Sequence, residues 1–389
     1  MDRLENPYRP GAGTDPPALL GRDDLIDAFG VTMRRALSSR PGKSYMPVGL
    51  RGVGKTVLLN RFCELATEEG LQVSFIEAPE TGDFRMLLAL RVRKILLGLN
   101  ADGPAKRSIA KALGVLKSFT WQLPDGSSIA IGVDAEVGLA DSGVLSEDLV
   151  DLLVAVGHAA ATDETGVLIA IDEVQYLSAG ELGALITAIH RTTQLDLPVV
   201  LVGAGLPQLP GLAGEAKSYA ERLFDFPTIG SLQPQDAIDA ILIPANAMGV
   251  SFEPGAVELI VEETSGYPYF LQEWGSHVWN LAATNPISVN DVRAARSEVI
   301  DQLDRNFFLV RLDRLTPKER SYLTAMAELG PGPHRSGDIA SHLQVKVESV
   351  APRRSGLISK GMIYSPAHGD TAFTVPLFDQ FMLRLQRHN

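Results

Sequence analysis

The sequence is poor in cysteine, in aromatic residues and in long apolar runs. Its 389 residues include one cysteine, Cys63, which excludes a disulfide framework and any zinc site built from several cysteines. Aromatic residues make up 6%, charged residues 21% and hydrophobic residues 45%, a composition typical of folded globular proteins and not of disordered chains. At about 100–200 residues per domain, the length predicts two or three domains.

The sequence also has no candidate for a membrane-spanning helix or a signal peptide. The best uncharged apolar stretch, residues 197–214, is interrupted by three prolines and by Gln208, which excludes a spanning helix. The first ten residues, MDRLENPYRP, lack the apolar centre of a signal peptide. We therefore expect a cytoplasmic protein without a membrane partner.

The charge is distributed unevenly along the chain. The formal net charge is −12, of which residues 311–389 carry +4 and the remainder −16. A mildly basic end behind an acidic body is compatible with a C-terminal module that contacts DNA. A chance fluctuation in a small domain explains the same numbers equally well.

Strand and helix signals alternate over the first 230 residues, after a lead-in rich in proline and glycine. The run at 167–171 has no polar residue, which predicts a strand buried on both faces of a parallel sheet. The alternation predicts an α/β domain over residues 1–230. Residues 100–145 interrupt it and are predicted to be an insertion, in which Asp125-Gly126 favours a β-hairpin. The predicted strands are residues 44–50, 71–77, 167–171, 198–202 and 223–229.

Strand signals stop after residue 230. Residues 231–306 have the periodicity of four helices and predict a small helical domain. Residues 311–389 show three helices, with a turn between the second and third, and then a hairpin at 362–375. This order is typical of a winged helix-turn-helix.

A glycine-rich loop follows the first predicted strand. Residues 49–56, GLRGVGKT, fit G-x-x-x-x-G-K-[ST], in which backbone N–H groups turn inward around an anion and the next helix directs its positive end to the same point. Lys55 would reach the β- and γ-phosphates of ATP, and Thr56 would offer its hydroxyl to Mg²⁺. The predicted nucleotide-binding residues here are Gly49, Gly52, Val53, Gly54, Lys55, Thr56 and Val57.

Two carboxylates end the apolar strand at 167–171. Asp172 is predicted to hold Mg²⁺, and Glu173 to orient and deprotonate the attacking water. Two acids at the end of a buried strand are costly unless a metal or another partner is near. A solvated strand end is the alternative for this pattern alone. Together with the phosphate-binding loop, the pair favours an ATPase whose catalytic residues include Lys55 and Glu173.

In these motifs the chain resembles the AAA+ ATPases, and among them the origin-recognition-like branch and the related STAND signalling ATPases. The resemblance also rests on residues 19–26 (LLGRDDLI) and 172–177 (DEVQYL) and covers about residues 6–306, with the winged helix behind it. It implies ATP and Mg²⁺ as ligands. Its motifs are specific for nucleotide binding and say little about biological role.

The resemblance extends to three residues on the base side of the nucleotide. Gly21 and Arg22 match the N-terminal motif that lies over the adenine, although the start of a helix near Asp23 is an alternative. Pro268, in the sequence Gly-Tyr-Pro, matches an element of the helical domain in which the proline packs near the base. Proline at a first helical position would give the same pattern.

The resemblance also implies self-association. Arg222 matches the position from which such ATPases project an arginine finger toward a neighbour's γ-phosphate, where it would offset transition-state charge in a homo-oligomer. A surface salt bridge with Glu221 or Asp225 is the alternative.

Two positions depart from the family pattern. The end of the fourth strand, residues 202–205 (VGAG), has no polar side chain to position water, and no arginine of the helical domain is evident near the phosphates. The nearest helix offers Gln272 and Glu273 instead. Both departures predict slow hydrolysis, or ATP as a switch ligand.

Three cations belong to the predicted recognition helix. Arg353, Arg354 and Lys360 lie on or beside it, where arginine reads guanine or phosphate in double-stranded DNA. His368 lies in the predicted wing. Pro352 within the first turns, and the small number of cations, fit a module for protein contacts equally well.

Three functions are compatible with this organisation. The first is an ATP-dependent DNA-binding regulator or initiator-like ATPase. The second is a signalling switch that oligomerises on ATP and binds a protein partner, and the third is an ATPase subunit that assists a separate DNA-processing enzyme. The predicted fold is the same for all three: a P-loop α/β domain, a helical lid domain and a C-terminal winged helix-turn-helix.

Overall fold

The computed structural model describes residues 1–11, 13–40, 42–121, 132–367 and 369–388. Among the helices of these ranges, none is long and apolar enough to cross a membrane. The hairpin predicted around Asp125-Gly126 and the wing residue His368 lie outside the described residues.

Helices and strands alternate through the first part of the chain, and this prediction is confirmed. Two short helices before the last strand have no counterpart in the sequence prediction. The elements are α1 (Asp23–Leu37), β1 (Ser44–Tyr45), α2 (Lys55–Glu68), β2 (Gln72–Glu77), α3 (Phe84–Gly98), α4 (Lys106–Trp121), α5 (Leu145–Thr162), β3 (Val167–Asp172), α6 (Ala179–Gln194), β4 (Val199–Gly203), α7 (Leu209–Ala216), α8 (Ala220–Leu223) and β5 (Phe224–Asp225).

The strands form one parallel sheet at the centre of this region. β2 pairs with β3 and β3 with β4, while β1 pairs with β5. Val48 joins the two parts, because it bridges both Gly205 and Thr228, so the order is β2-β3-β4-β1-β5. β1 and β5 are shorter than predicted, since Pro47 and Pro227 lack the N–H that a continuous ladder needs.

Helices cover both faces of the sheet. All six residues of β3 are buried, as predicted, because alternate residues face opposite layers. Leu168 and Ala170 pack in one core with residues of α1 and α2, whereas Val167, Ile169 and Ile171 pack in a second core with residues of α3, α5 and α6. The loop after β1 therefore emerges at the carboxyl edge of a sheet that is fixed from both sides.

A helical region follows the sheet. It comprises α9 (Pro234–Ala247), α10 (Pro254–Thr264), α11 (Pro268–Leu281) and α12 (Val289–Leu303), as predicted. The last helix does not stop at residue 306, however. A π-helical segment, Asp304–Leu309, and α13 (Val310–Leu312) prolong it, so that the helical region runs directly into the C-terminal one.

The C-terminal region combines helices with a small antiparallel sheet of order β6-β8-β7. A final helix, absent from the sequence prediction, buries Phe378, Phe381 and Met382. Phe381 stacks on Phe308 with ring centroids 5.1 Å apart, which attaches this region to the end of the helical one. The elements are α14 (Pro317–Glu328), β6 (His334–Arg335), α15 (Ser336–His342), α16 (Val347–Ser359), β7 (Ile363–Tyr364), β8 (Asp370–Phe373) and α17 (Phe378–His388).

Candidate nucleotide-binding site

The loop between β1 and α2 is shaped by its glycines. Gly52 and Gly54 have φ angles of +86° and +90°, in the left-handed region that favours glycine. Gly54 is the N-cap of α2, so the unpaired amides at the start of that helix open toward the loop. Lys55 Nζ donates to the carbonyls of Gly49 and Leu50 at 3.0 and 2.9 Å. Burial lowers the pKa of Lys55.

Gly49 is required for space. A Cβ at this position would lie 2.3 Å from the carbonyl oxygen of Ile229 and 2.9 Å from a methyl of Val53. Because the nearer atom belongs to the backbone, we expect Gly49→Ala to lower the free energy of unfolding by about 2–3 kcal/mol, measured by denaturant titration. Gly211→Ala is the matched control, since nothing lies within 4 Å of its Cβ. Equal stability of the two variants would contradict this packing.

Thr56 and Asp172 meet although they are far apart in the chain. The Thr56 hydroxyl donates to the carboxylate of Asp172 at 2.5 Å, and the amide of Glu173 donates to its other oxygen at 2.8 Å. Burial is the largest effect on Asp172 and raises its pKa. The structure thus places a hydroxyl and a carboxylate oxygen side by side, next to the loop.

Glu173 begins the segment after β3 in a left-handed conformation, with φ +52°, a strained backbone that is often found at functional sites. The Gln175 amide donates to the Glu173 carboxylate and accepts from the amide of Leu206 at 3.0 Å. The sequence predicts no polar side chain at the end of β4. Gln175 brings an amide to that place from the neighbouring segment, so the prediction missed this polar group.

Arg22 lies where the lead-in, the loop and the helical region join. It is 9% exposed, and its guanidinium donates to the carbonyls of Gly230, Gly21 and Val53 at 2.7, 2.9 and 3.4 Å. Burial lowers its pKa, and the charge of Asp236 opposes this shift. Arg22 therefore fixes the lead-in above the loop.

The helical region closes over the loop through the start of α11. Pro268 is its first residue. The Tyr269 amide donates to the carbonyl of Gly52 at 3.2 Å, and the Tyr267 hydroxyl donates to the carbonyl of Arg51. These contacts hold the helical region directly against the loop.

A cavity of about 380 Å³ lies between these parts, a size that suits a small-molecule ligand. It is lined by the lead-in, the loop, the start of α11 and the segment after α12. Predicted residues on its wall are Arg22, Gly52, Val53, Gly54, Lys55, Thr56, Val57, Glu173 and Pro268.

Arg222 does not belong to this wall. It is exposed on α8, and among the described residues it forms no ion pair. Asp225, one of the alternative partners, pairs with Lys43 at 3.0 Å. The structure therefore leaves the Arg222 guanidinium at the surface.

Two arginines of the cavity were missed by sequence reasoning. Arg311 stacks over the Phe307 ring, 4.1 Å from its centroid, and donates to the Phe307 carbonyl. Burial first, and then the charge of Arg51, lower the pKa of Arg311 to about 10, so it remains a cation at neutral pH. Arg51 donates to the Tyr176 hydroxyl at 2.6 Å, and its Nε is buried without a partner among the described residues.

Arg311 brings to the cavity wall an arginine that the sequence analysis does not predict. It comes from beyond the predicted boundary at residue 306, because the helical run continues to residue 312. The local sequence, NFFLVRLDR, carries no signal that would place one of its arginines beside the P-loop, more than 250 residues earlier in the chain.

The three cations predicted for DNA are only partly available. Arg354 donates to Thr371, Ser365 and the Asp370 carbonyl at 2.7–3.0 Å. Lys360 pairs with Glu319 at 2.7 Å. Arg353 is half-buried, and its guanidinium forms no hydrogen bond or ion pair with the described residues. Two of the three thus hold the C-terminal region together.

Two family models match the chain. Residues 18–202 match the AAA ATPase domain, and residues 305–382 match a domain of unknown function (DUF8462). Among curated proteins, none matches this sequence.

Solved structures with a similar fold include a Walker-type ATPase of Pyrococcus abyssi, at 15% identity and a TM-score of 0.58 over 96% of this chain and 98% of that one. A mutant of RuvB from Thermotoga maritima matches at 15% identity and a TM-score of 0.48, over 90% and 92%. The ORC1 protein of Aeropyrum pernix in complex with DNA matches at 17% identity and a TM-score of 0.46, over 96% and 94%.

At such identities the likeness to the Pyrococcus abyssi structure concerns the fold alone. The family match over residues 18–202, the parallel sheet and the glycine-rich loop before α2 agree with one another. Together they support an AAA ATPase domain with a P-loop α/β fold in this part of the chain.

Proposed function

We propose that this protein binds Mg·ATP between the α/β domain and the helical region and hydrolyses it. One observation carries the proposal: a single cavity is lined by Lys55, Thr56 and Glu173 together with the start of α11. The loop amides and Lys55 would hold the phosphates. Arg22 and Pro268, with Gly21 beside Arg22, would bound the base.

The residues present fit a magnesium ion. Mg²⁺ prefers oxygen ligands and usually takes one or two from the protein, the rest from phosphates and water. The Thr56 hydroxyl and the Asp172 carboxylate, 2.5 Å apart, supply such a pair. Bound there, the ion would neutralise charge on the β- and γ-phosphate oxygens.

For hydrolysis, Glu173 is the proposed general base. Its carboxylate accepts from Gln175, whose amide oxygen accepts from the Leu206 amide, so the acid keeps one orientation on the cavity wall, where the phosphates would lie. A water that is hydrogen-bonded to this carboxylate can transfer its proton to it directly, without another side chain between them. Arg311 would stabilise charge that develops on the γ-phosphate oxygens.

We also propose the predicted division into residues 1–230, 231–306 and 311–389, with the C-terminal part acting as a winged helix-turn-helix. The succession α14, α15, α16 and the β7–β8 pair supports this. The Arg51 amide donates to the Thr374 carbonyl at 3.0 Å, so the C-terminal region touches the nucleotide loop. That contact favours a switch in which nucleotide binding sets the position of the C-terminal region.

The same switch could serve each of the three functions named above. Arg353 is available for DNA, whereas Arg354 and Lys360 are engaged internally, which weakens the DNA-binding form relative to a module for a protein partner. The exposed Arg222 is available to a second copy, as an oligomerising switch requires. An ATPase that assists a DNA-processing enzyme would use the same site.

Calorimetric titration with Mg·ATP tests the proposal. We expect binding by the intact chain, and at least a tenfold loss of affinity in Lys55→Ala, because a charge-assisted hydrogen bond contributes about 1.5–3 kcal/mol. Lys43→Ala is the matched control, since Lys43 forms only an exposed ion pair with Asp225. Absence of nucleotide affinity, or a Lys55→Ala variant that binds like the parent, would refute the site.

A further inference from the structure

One segment of this acidic chain is strongly basic. Residues 84–121, which contain α3 and α4, hold eight lysines and arginines against a single acid, Asp102. Their net charge is +7, so the other residues of the chain together carry −19. No motif or proposed site described above uses this segment.

The two helices form an antiparallel hairpin. The Arg85 guanidinium, at the start of α3, lies 5.3 Å from the centroid of the Phe119 ring, near the end of α4. One side of the hairpin is buried in the core with α5 and α6. Its inward residues are Phe84, Leu88, Ala89, Val92, Ile95, Leu96, Ile109, Ala112, Val115, Leu116 and Phe119.

Five of the cations are exposed and therefore lie on the outer side of the hairpin, away from this core. None of their five side chains forms an ion pair or a hydrogen bond with the described residues. At a rise of about 1.5 Å per residue, neighbours on one helix are spaced about 4–6 Å along its axis, and packed helices lie about 8–10 Å apart. The outer side is therefore a compact basic face, made of Arg91, Lys94, Lys106, Arg107 and Lys111.

Unpaired cations at this density attract a polyanion at short range. The Debye length is about 8–10 Å at physiological salt, so distant acids of the chain are screened while the basic face acts on a partner in contact with it. Among the described side chains of α3 and α4, no aromatic or amide group is exposed, and such groups are the ones that read or stack bases. The face suits a phosphate backbone without sequence selection.

We propose that the outer face of the α3–α4 hairpin binds the phosphate backbone of double-stranded nucleic acid. An acidic protein segment is the competing partner, because Leu90 and Leu97 are 45% and 58% exposed near the cations. Exposed leucines that occur singly are ordinary at protein surfaces, whereas five unpaired cations on one face are not accounted for by packing. This surface lies outside the proposed ATP site and the C-terminal region.

Salt-dependent binding of a fluorescent DNA duplex of arbitrary sequence tests the proposal on the intact chain. The variant combines Arg91→Gln, Lys94→Gln, Arg107→Gln and Lys111→Gln. We expect duplex affinity to fall at least tenfold at 50 mM salt, and the slope of log K against log salt to fall in magnitude by about 3–4, since each phosphate contact contributes about 0.9. The charge-matched control replaces four other exposed arginines with Gln and should change duplex affinity less than twofold. These are Arg3, Arg40, Arg191 and Arg293.

Three results would overturn the proposal. The first is no duplex binding by the parent at 50 mM salt, and the second is an equal loss of duplex affinity in the two fourfold variants. The third is polyglutamate binding as tight as duplex binding, which would indicate an acidic protein segment as the partner.

Mg·ATP affinity is measured on the same samples. Retained ATP affinity shows that the variant is folded, and it shows that a loss of duplex binding does not come from damage to the nucleotide site. Arg353→Gln, assayed in parallel, tests whether the C-terminal region contributes to duplex binding. This variant should leave the slope within 1 of the parent's.

Discussion

Replacing Glu173 with Gln is expected to lower the rate of ATP hydrolysis by about 100- to 10,000-fold while leaving Mg·ATP affinity within a few-fold of the parent. The amide keeps the size and the hydrogen bonding of the side chain but cannot accept the proton of the attacking water. Gln175, which fixes this side chain, stays in place. Phosphate release under saturating ATP gives the rate, and calorimetry gives the affinity.

A matched substitution separates the base from a general effect of lost charge. Glu258 is exposed on α10 and makes no contact with the site, so Glu258→Gln should hydrolyse ATP like the parent. If Glu173→Gln turns over at the parent's rate, Glu173 is not the base. If it loses nucleotide affinity instead, its role is in binding.

The parts of this site that the sequence predicts are those formed by residues adjacent in the chain. Gly49 to Thr56 must follow a strand and precede a helix for the loop to work, and apolar runs of suitable length predict both elements. Asp172 and Glu173 could be paired with that loop because carboxyl ends of parallel strands meet at one edge of the sheet.

The features that the sequence does not predict depend on tertiary contacts, or on helices that continue beyond their predicted ends. Gln175 reaches the end of β4 only because the segment after β3 turns back on itself at Glu173. Arg354 and Lys360 appear free in the sequence, but β8 and α14 supply their partners. The apolar residues of α17 are spaced helically, but this helix follows the predicted hairpin, with which a winged helix-turn-helix is already complete.

Arg311 is the clearest example of a residue that only the structure could assign. Helical periodicity weakens near residue 306, where Phe307 and Phe308 are adjacent. The π-helical segment absorbs this change of register and carries the helix onward. The guanidinium is thereby brought to a cavity whose other wall is the P-loop.

Changing Arg311 to Met is expected to slow catalysis without lowering stability. Hydrolysis should fall about 100- to 1,000-fold, the usual loss when one preorganised donor to developing charge is removed. Folding lowers the pKa of Arg311 to about 10, so the folded chain binds this proton less tightly than the unfolded chain does. The charge therefore opposes folding at neutral pH.

In nucleotide-free protein, then, Arg311→Met should melt at the parent's temperature or a few degrees above it, because an apolar side chain replaces a half-buried cation that faces Arg51. Arg314→Met is the control: Arg314 is exposed, and its loss should change neither the rate nor the melting temperature. A variant that melts well below the parent would show that Arg311 stabilises the fold through Phe307. Unchanged hydrolysis in Arg311→Met would show that this arginine takes no part in the reaction.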